Sequence, residues 1–102
     1  MNWINVTYNS NQTYIVKEEA ILDVINNVFS ELKHLKLVKT PRLSFDENHL
    51  DLEIFVDVKI KKNKTKDTYS AVKQLANQIE EAVKILIDKK PKNVQVCLLD
   101  II

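Results

Sequence analysis

Three carboxylates stand at alternating positions in one stretch of the chain: Asp51, Glu53 and Asp57. On an extended backbone they would share a side, with neighbours two residues apart separated by about 6–7 Å. That spacing suits two-carboxylate acid–base chemistry or a divalent cation. No second ligand set accompanies them, however, and alternating charge is also what a wetted strand face carries. His34 and His49 are the only histidines, and neither has a metal-ligand partner at a useful spacing. Cys97 is the only cysteine, so neither an intrachain disulfide nor a cysteine-rich zinc site can form. Its mid-strand position sets no base beside it, and a small apolar strand residue is the simpler reading. The pairs Glu18-Glu19 and Glu80-Glu81 fall on helices, where adjacent side chains diverge by about 100°. The expectation is a protein with no catalytic residue, no metal and no cofactor.

Composition narrows the field further. The chain has 102 residues and no glycine. Every phosphate cradle built on glycine backbone is thereby excluded, including the P-loop, the dinucleotide fingerprint and the GXXG clamp. Fifteen basic and fourteen acidic side chains give a net charge of +1, without the basic excess of a dedicated nucleic-acid binder. Arg42 is the single arginine, and lysine is a poorer bidentate reader of phosphates and guanines.

The densest charge cluster is Lys59, Lys61, Lys62, Lys64 and Lys66, a candidate anion-binding site for nucleic acid or anionic lipid. A second group, Lys84, Lys89, Lys90 and Lys92, follows at the far end of the next helix, about 30 Å away by helix rise. The two would not merge into one stripe. Met1–Ser10 lacks the basic-then-apolar pattern of a signal peptide, and no apolar run approaches the ~20 residues that span a bilayer. A cytoplasmic protein without a transmembrane segment is expected.

Periodicity gives the elements that must hold these residues. Trp3–Tyr8 alternates as a short strand, and residues 1–13 are expected to form a loose N-terminal strand or extension of a single domain covering 1–102. Ile21, Val24, Ile25, Val28, Leu32 and Leu35 recur at spacings of three and four, which predicts a helix over Lys17–Leu37. Arg42–Phe45 is a brief strand, and Asp46-Glu47-Asn48-His49 a turn. Leu50–Ile60 alternates strictly, predicting a strand with one buried face that pairs antiparallel with Arg42–Phe45. Asp67 or Thr68 is a good N-cap for a second helix ending near Asp88, and Lys89, Lys90 and Pro91 stop it. Asn93–Ile102 is a last strand.

The order is (β)αββαβ. It predicts an α+β two-layer sandwich, with two helices on one face of a small, mostly antiparallel sheet of three or four strands. If the N-terminal strand is real, a ferredoxin-like βαββαβ arrangement is the main competitor. Phe55, Cys97, Leu99 and Ile101 would point away from the helices and form a small apolar patch, a candidate partner-binding surface. Self-association or docking of a protein partner is the leading expectation. A small RNA- or ribosome-associated module, KH-like or ferredoxin-like, is the alternative, although the aromatic RNA-recognition signature is absent from both long strands.

From Val16 onward the chain resembles the Asp23/Gls24 family of alkaline-shock and envelope-stress proteins. Val16 and Ala20-Ile21…Val24 match its opening I-x-x-x-V-I-x-x-I, and Leu50–Ile60 matches its V-x-V-x-V-x-V strand. Ala71-Val72…Leu75…Gln78-Ile79…Ala82-Val83…Asn93-Val94-Gln95-Val96 is similar to V-A…Q-x-x-V-x-x-A-V…V-N-V-x-V. The chain departs from the pattern where Leu35-Lys36-Leu37-Val38 replaces Gly-Val and where Lys89-Lys90-Pro91 replaces Thr-Gly, as in a divergent, short member. The resemblance implies a non-enzymatic cytoplasmic bacterial protein that self-associates and serves cell-envelope homeostasis. It also implies, for some members, attachment to the membrane through an integral-membrane partner. It carries no catalytic residue to this chain.

Overall fold

A computed structural model describes residues 2–9, 11–62 and 67–102. Its elements are β1 (Trp3–Asn9), β2 (Gln12–Lys17), α1 (Glu18–Ser30), β3 (Leu35–Leu37), β4 (Arg42–Phe45), β5 (Leu52–Ile60), α2 (Thr68–Ile87) and β6 (Asn93–Ile101). This is an α+β fold with helices packed on a sheet.

Strand β5 is the axis of the sheet. β6 pairs with it in parallel along one side, from Glu53↔Asn93 to Ile60↔Ile101. A parallel neighbour requires a crossover connection, and α2 supplies it. β3 and β4 therefore share the other side of β5, end to end and antiparallel to it. Leu37 pairs with Val58 and Arg42 with Phe55, so five steps on this edge match three on β5. The excess is taken up by a bulge over Val38–Pro41, pinned where the Val38 N–H donates to the Asp57 carbonyl at 2.9 Å.

From Leu52 onward the apolar side of β5 turns inward as its alternation predicts, but Leu50, expected on that side, lies before the strand and is 47% exposed, and Asp57, expected on the wetted side, is buried. Leu52, Ile54, Val56, Val58 and Ile60 are all at or below 1% exposure. Ile21 and Ile25 of α1 and Ala71, Leu75, Ile79, Val83 and Ile87 of α2 cover them. Asp67 caps α2 by accepting from the Ser70 N–H, and the bond from the Ser70 hydroxyl, helped by that N–H, holds its carboxyl below the usual range.

Helix α1 ends at Ser30, seven residues short of the expected Leu37. Leu35 continues the helical stripe by spacing, but Leu35-Lys36-Leu37 also alternates, and short apolar runs fit both periods. Pairing with Lys59 and its neighbours decides the matter, because β5 would otherwise leave half an edge open. The Ser30 hydroxyl donates to the Asn27 carbonyl at the point where the helix stops.

The N-terminal segment is a hairpin of two strands that stays out of the main sheet. The ferredoxin-like arrangement, which needs its first strand in that sheet, is thus not formed. Ile4, Val6 and Val16 join the core, and the Asn2 carbonyl accepts from the Glu18 N–H, the first donor of α1. The far end of the hairpin reaches α2, where the Tyr14 hydroxyl donates to the Leu86 carbonyl at 3.3 Å.

Candidate interaction surface

Because the inner residues of β5 face the helices, Glu53, Phe55, Asp57 and Lys59 stand on the reverse side of the sheet. Their cross-strand neighbours complete that face. Ser44, Arg42 and Lys36 lie opposite Glu53, Phe55 and Lys59 on one side. Asn93, Gln95, Cys97 and Asp100 lie opposite Glu53, Phe55, Asp57 and Lys59 on the other. Among the described residues no second layer covers this face: Arg42, Ser44, Gln95 and Cys97 are exposed and Phe55 is half-buried.

At its centre Arg42 grips Asp57 with a forked contact, Nη1 donating to Oδ2 at 2.8 Å and Nη2 to Oδ1 at 3.4 Å. The Asp57 side chain is only 10% exposed while that of Arg42 is 56% exposed. The carboxylate is thus covered and the guanidinium presented to solvent. The Arg42 hydrogen bond holds the Asp57 carboxyl below its ordinary range, against the opposing effect of burial, and the charges of Arg42 and Lys39 help. The same bond raises Arg42. A planar fork on a carboxylate fixes geometry in a way lysine cannot.

The four residues expected in an apolar patch are spread along β5 and β6, with Gln95 opposite Phe55 and Asp57 opposite Cys97. Phe55 and Cys97 stand on the reverse face two residues apart in register on adjacent strands, and Leu99 follows at the bulge, 47% exposed. Ile101 does not join them. The register slips between Val58↔Leu98 and Lys59↔Asp100, so Ile101 comes opposite Ile60, a residue of the helix-facing side. One extra residue in a strand turns every later side chain over.

The carboxylate triad does not assemble. Asp51 precedes β5 and belongs to the turn, where its N–H donates to the Asp46 side chain, while Asp57 is held by Arg42. No group of three His, Cys, Asp or Glu among the described residues is placed to hold a metal ion. His34 lies beyond the end of α1, with its carbonyl accepting from the Lys61 N–H. His49 stacks on Trp3 at 3.7 Å between ring centroids and 9° between planes. An open hollow of about 520 Å³ at the root of the hairpin is lined by Asn2, Trp3, Ile15, Lys17, Glu18 and Glu19, none of them an expected site residue.

The lysine cluster is regrouped. Lys59 faces Lys36 directly across the β3–β5 ladder, a neighbour the linear sequence hides. Lys61 and Lys62 continue from the end of β5, and Lys64 and Lys66 lie outside the described residues. In the second group Lys90 reaches Glu80 at 3.7 Å. Sequence reasoning missed Lys36 and the Arg42–Asp57 pair. The sole arginine of the chain was the available signal, but its partner depends on the bulge before β4.

No helix among the described residues is long and apolar enough to cross a membrane. The fold and surface define a class, an α+β protein with helices packed on a sheet whose other face is uncovered among the described residues. Beyond that class, no family model, curated protein or solved structure matches the chain.

Proposed function

We propose that this chain is a non-enzymatic interaction or scaffold protein of Asp23/Gls24 type, which docks a protein partner on the reverse face of its sheet. The carrying observation is that face itself: half-buried Phe55, exposed Cys97 and Leu99, and an exposed guanidinium locked in place by Asp57. Apolar side chains flanking a fixed arginine are a common composition for an interface. Under this reading the chain is cytoplasmic, serves cell-envelope homeostasis or stress, and reaches the membrane through an anchored partner. Affinity capture from the native cell extract with wild type and Phe55→Lys tests it. A partner held by wild type and lost by the variant is expected; identical captured sets would refute the reading.

A second reading, a small RNA- or ribosome-associated module, draws on the Lys36–Lys59 pair. Like charges directly opposite on adjacent strands cost stability, and a bound polyanion would relieve that cost. Phosphate-driven binding must weaken steeply with salt, so a salt-titrated RNA-binding assay separates the two. No binding at low salt removes this reading.

A further inference from the structure

The two edges of the sheet are built differently. The β3–β4 edge is broken by a bulge and carries Lys36, Lys39, Pro41 and Arg42. Bulges, prolines and charges are the devices that keep an edge strand from pairing with another chain. The β6 edge has none of them over most of its length. Asn93–Leu99 holds no charge, no proline and no glycine, and β5 is its sole strand partner among the described residues. Such a composition favours strand pairing.

The helix side of this edge is apolar as well. Val94, Val96 and Leu98 pack on the core yet remain half-buried. On α2, which lies against β6, Tyr69, Val72 and Ala76 share one side by their spacing of three and four. Gln78 and Ala82 line a hollow with Val28 of α1 and Glu31 just beyond its end, so the Tyr69 stripe faces away from α1. Tyr69 is 73% exposed.

We propose that β6 is the interface of a two-fold homodimer, in which the β6 strands of two copies pair antiparallel and join their sheets into one. The inference rests on the reading of this chain as an interaction protein, but it uses the sheet edge and leaves the reverse face free. Charge selects the direction. Lys90 and Lys92 precede β6 and Asp100 lies near its end. Antiparallel pairing sets the basic end of one copy beside the acidic end of the other, whereas parallel pairing sets lysine beside lysine.

The side chains select the register. Centred on Val96, the pairing puts Val96 opposite itself, Val94 opposite Leu98 and Gln95 opposite Cys97. Apolar meets apolar on the helix side, and the bulge at Leu99 closes the paired run at both ends. Centred on Cys97, the pairing would instead bring Val94 toward Asp100. A single patch that complements itself is what a closed two-fold dimer requires.

Sedimentation velocity on the full chain tests the proposal with three variants. Wild type is expected at twice the chain mass at tens of micromolar concentration. Gln95→Lys/Cys97→Lys replaces two exposed side chains, sets lysine opposite lysine twice across the edge, and is expected at single-chain mass with an unchanged circular dichroism spectrum. Phe55→Lys alters the reverse face alone and is expected to stay dimeric. Gln95→Cys places a thiol directly opposite Cys97 of the second copy, at a Cβ separation of about 4.5–5.5 Å. On oxidation it is expected to give a covalent dimer. Wild type does not, because Cys97 is diagonal to Cys97 of the second copy.

Wild type at single-chain mass throughout overturns the proposal. A double-lysine variant that stays dimeric, or Gln95→Cys that crosslinks no better than wild type, overturns it too. If Phe55→Lys alone abolishes the dimer, self-association runs through the reverse face and the edge is excluded. The reverse-face reading fails separately, by identical captures with wild type and Phe55→Lys.

Discussion

Arg42 reaches diagonally across the β4–β5 ladder to Asp57, two residues beyond its direct neighbour Phe55, and closes a fork on the carboxylate at 2.8 and 3.4 Å. The diagonal exists because the Val38–Pro41 bulge brings Arg42 back into register after the Val38 N–H has bonded the Asp57 carbonyl.

The pair makes stability depend on acidity. Asp57 has a folded pKa below the unfolded value of 3.8, so the unfolded chain binds more protons in that window. The stabilisation is present above the unfolded pKa and lost as pH falls through the folded one. Asp57→Asn is expected to lower the melting temperature at neutral pH and to flatten its fall below about pH 4. Asp46 and Asp67 are depressed as well, so some acid sensitivity must persist in the variant. Thermal melts of both proteins across pH 2–7 check the slopes; parallel curves would count against the pair.

The turn before β5 depends on one side chain. Asp46 accepts from the N–H groups of Leu50 and Asp51 at 2.7 Å each and from that of Asn48 at 3.3 Å. Asp46→Ala leaves those donors to water and should lower the melting temperature more than Glu47→Ala, its exposed neighbour in the same turn. Equal losses in the two variants would contradict this.

In a chain without glycine, left-handed positions fall to other residues. Asp88 takes φ 60° at the end of α2, its N–H donating to the Lys84 carbonyl. A non-glycine residue there carries a steric cost, so Asp88→Gly should stabilise the protein by about 1 kcal/mol. Chemical denaturation measures the difference, and a loss of stability would show that the aspartate side chain itself is needed.

The hairpin is clamped to the turn by Trp3 and His49. The rings stack, His49 Nδ1 donates to the Trp3 carbonyl at 3.1 Å, and the Asn5 N–H donates to the His49 carbonyl at 2.7 Å. Trp3→Ala removes a stack worth about 0.5–1.5 kcal/mol. Faster amide exchange is expected through β1 and β2, with α2 and β5 protected as before. Uniform acceleration over the whole chain would mean that the hairpin and the core open together.

Amphipathic period, capping and stop residues are local properties, and they made α2, β5 and the Asp46–His49 turn legible from the residues alone. The same holds for the side of β5 that turns inward, because alternation and burial are one constraint read twice. What pairing decides was hidden. Leu35 fits a helix and a strand equally well until β5 offers it a partner. A single bulge at Leu99 carries Ile101 off the reverse face, and another before Arg42 creates the Asp57 fork. Lys36 and Lys59 are 23 positions apart in the chain and adjacent across the ladder. Side-chain period belongs to a segment and survives in its sequence. Register belongs to two segments at once, and the hydrogen-bond ladder sets it only when they meet.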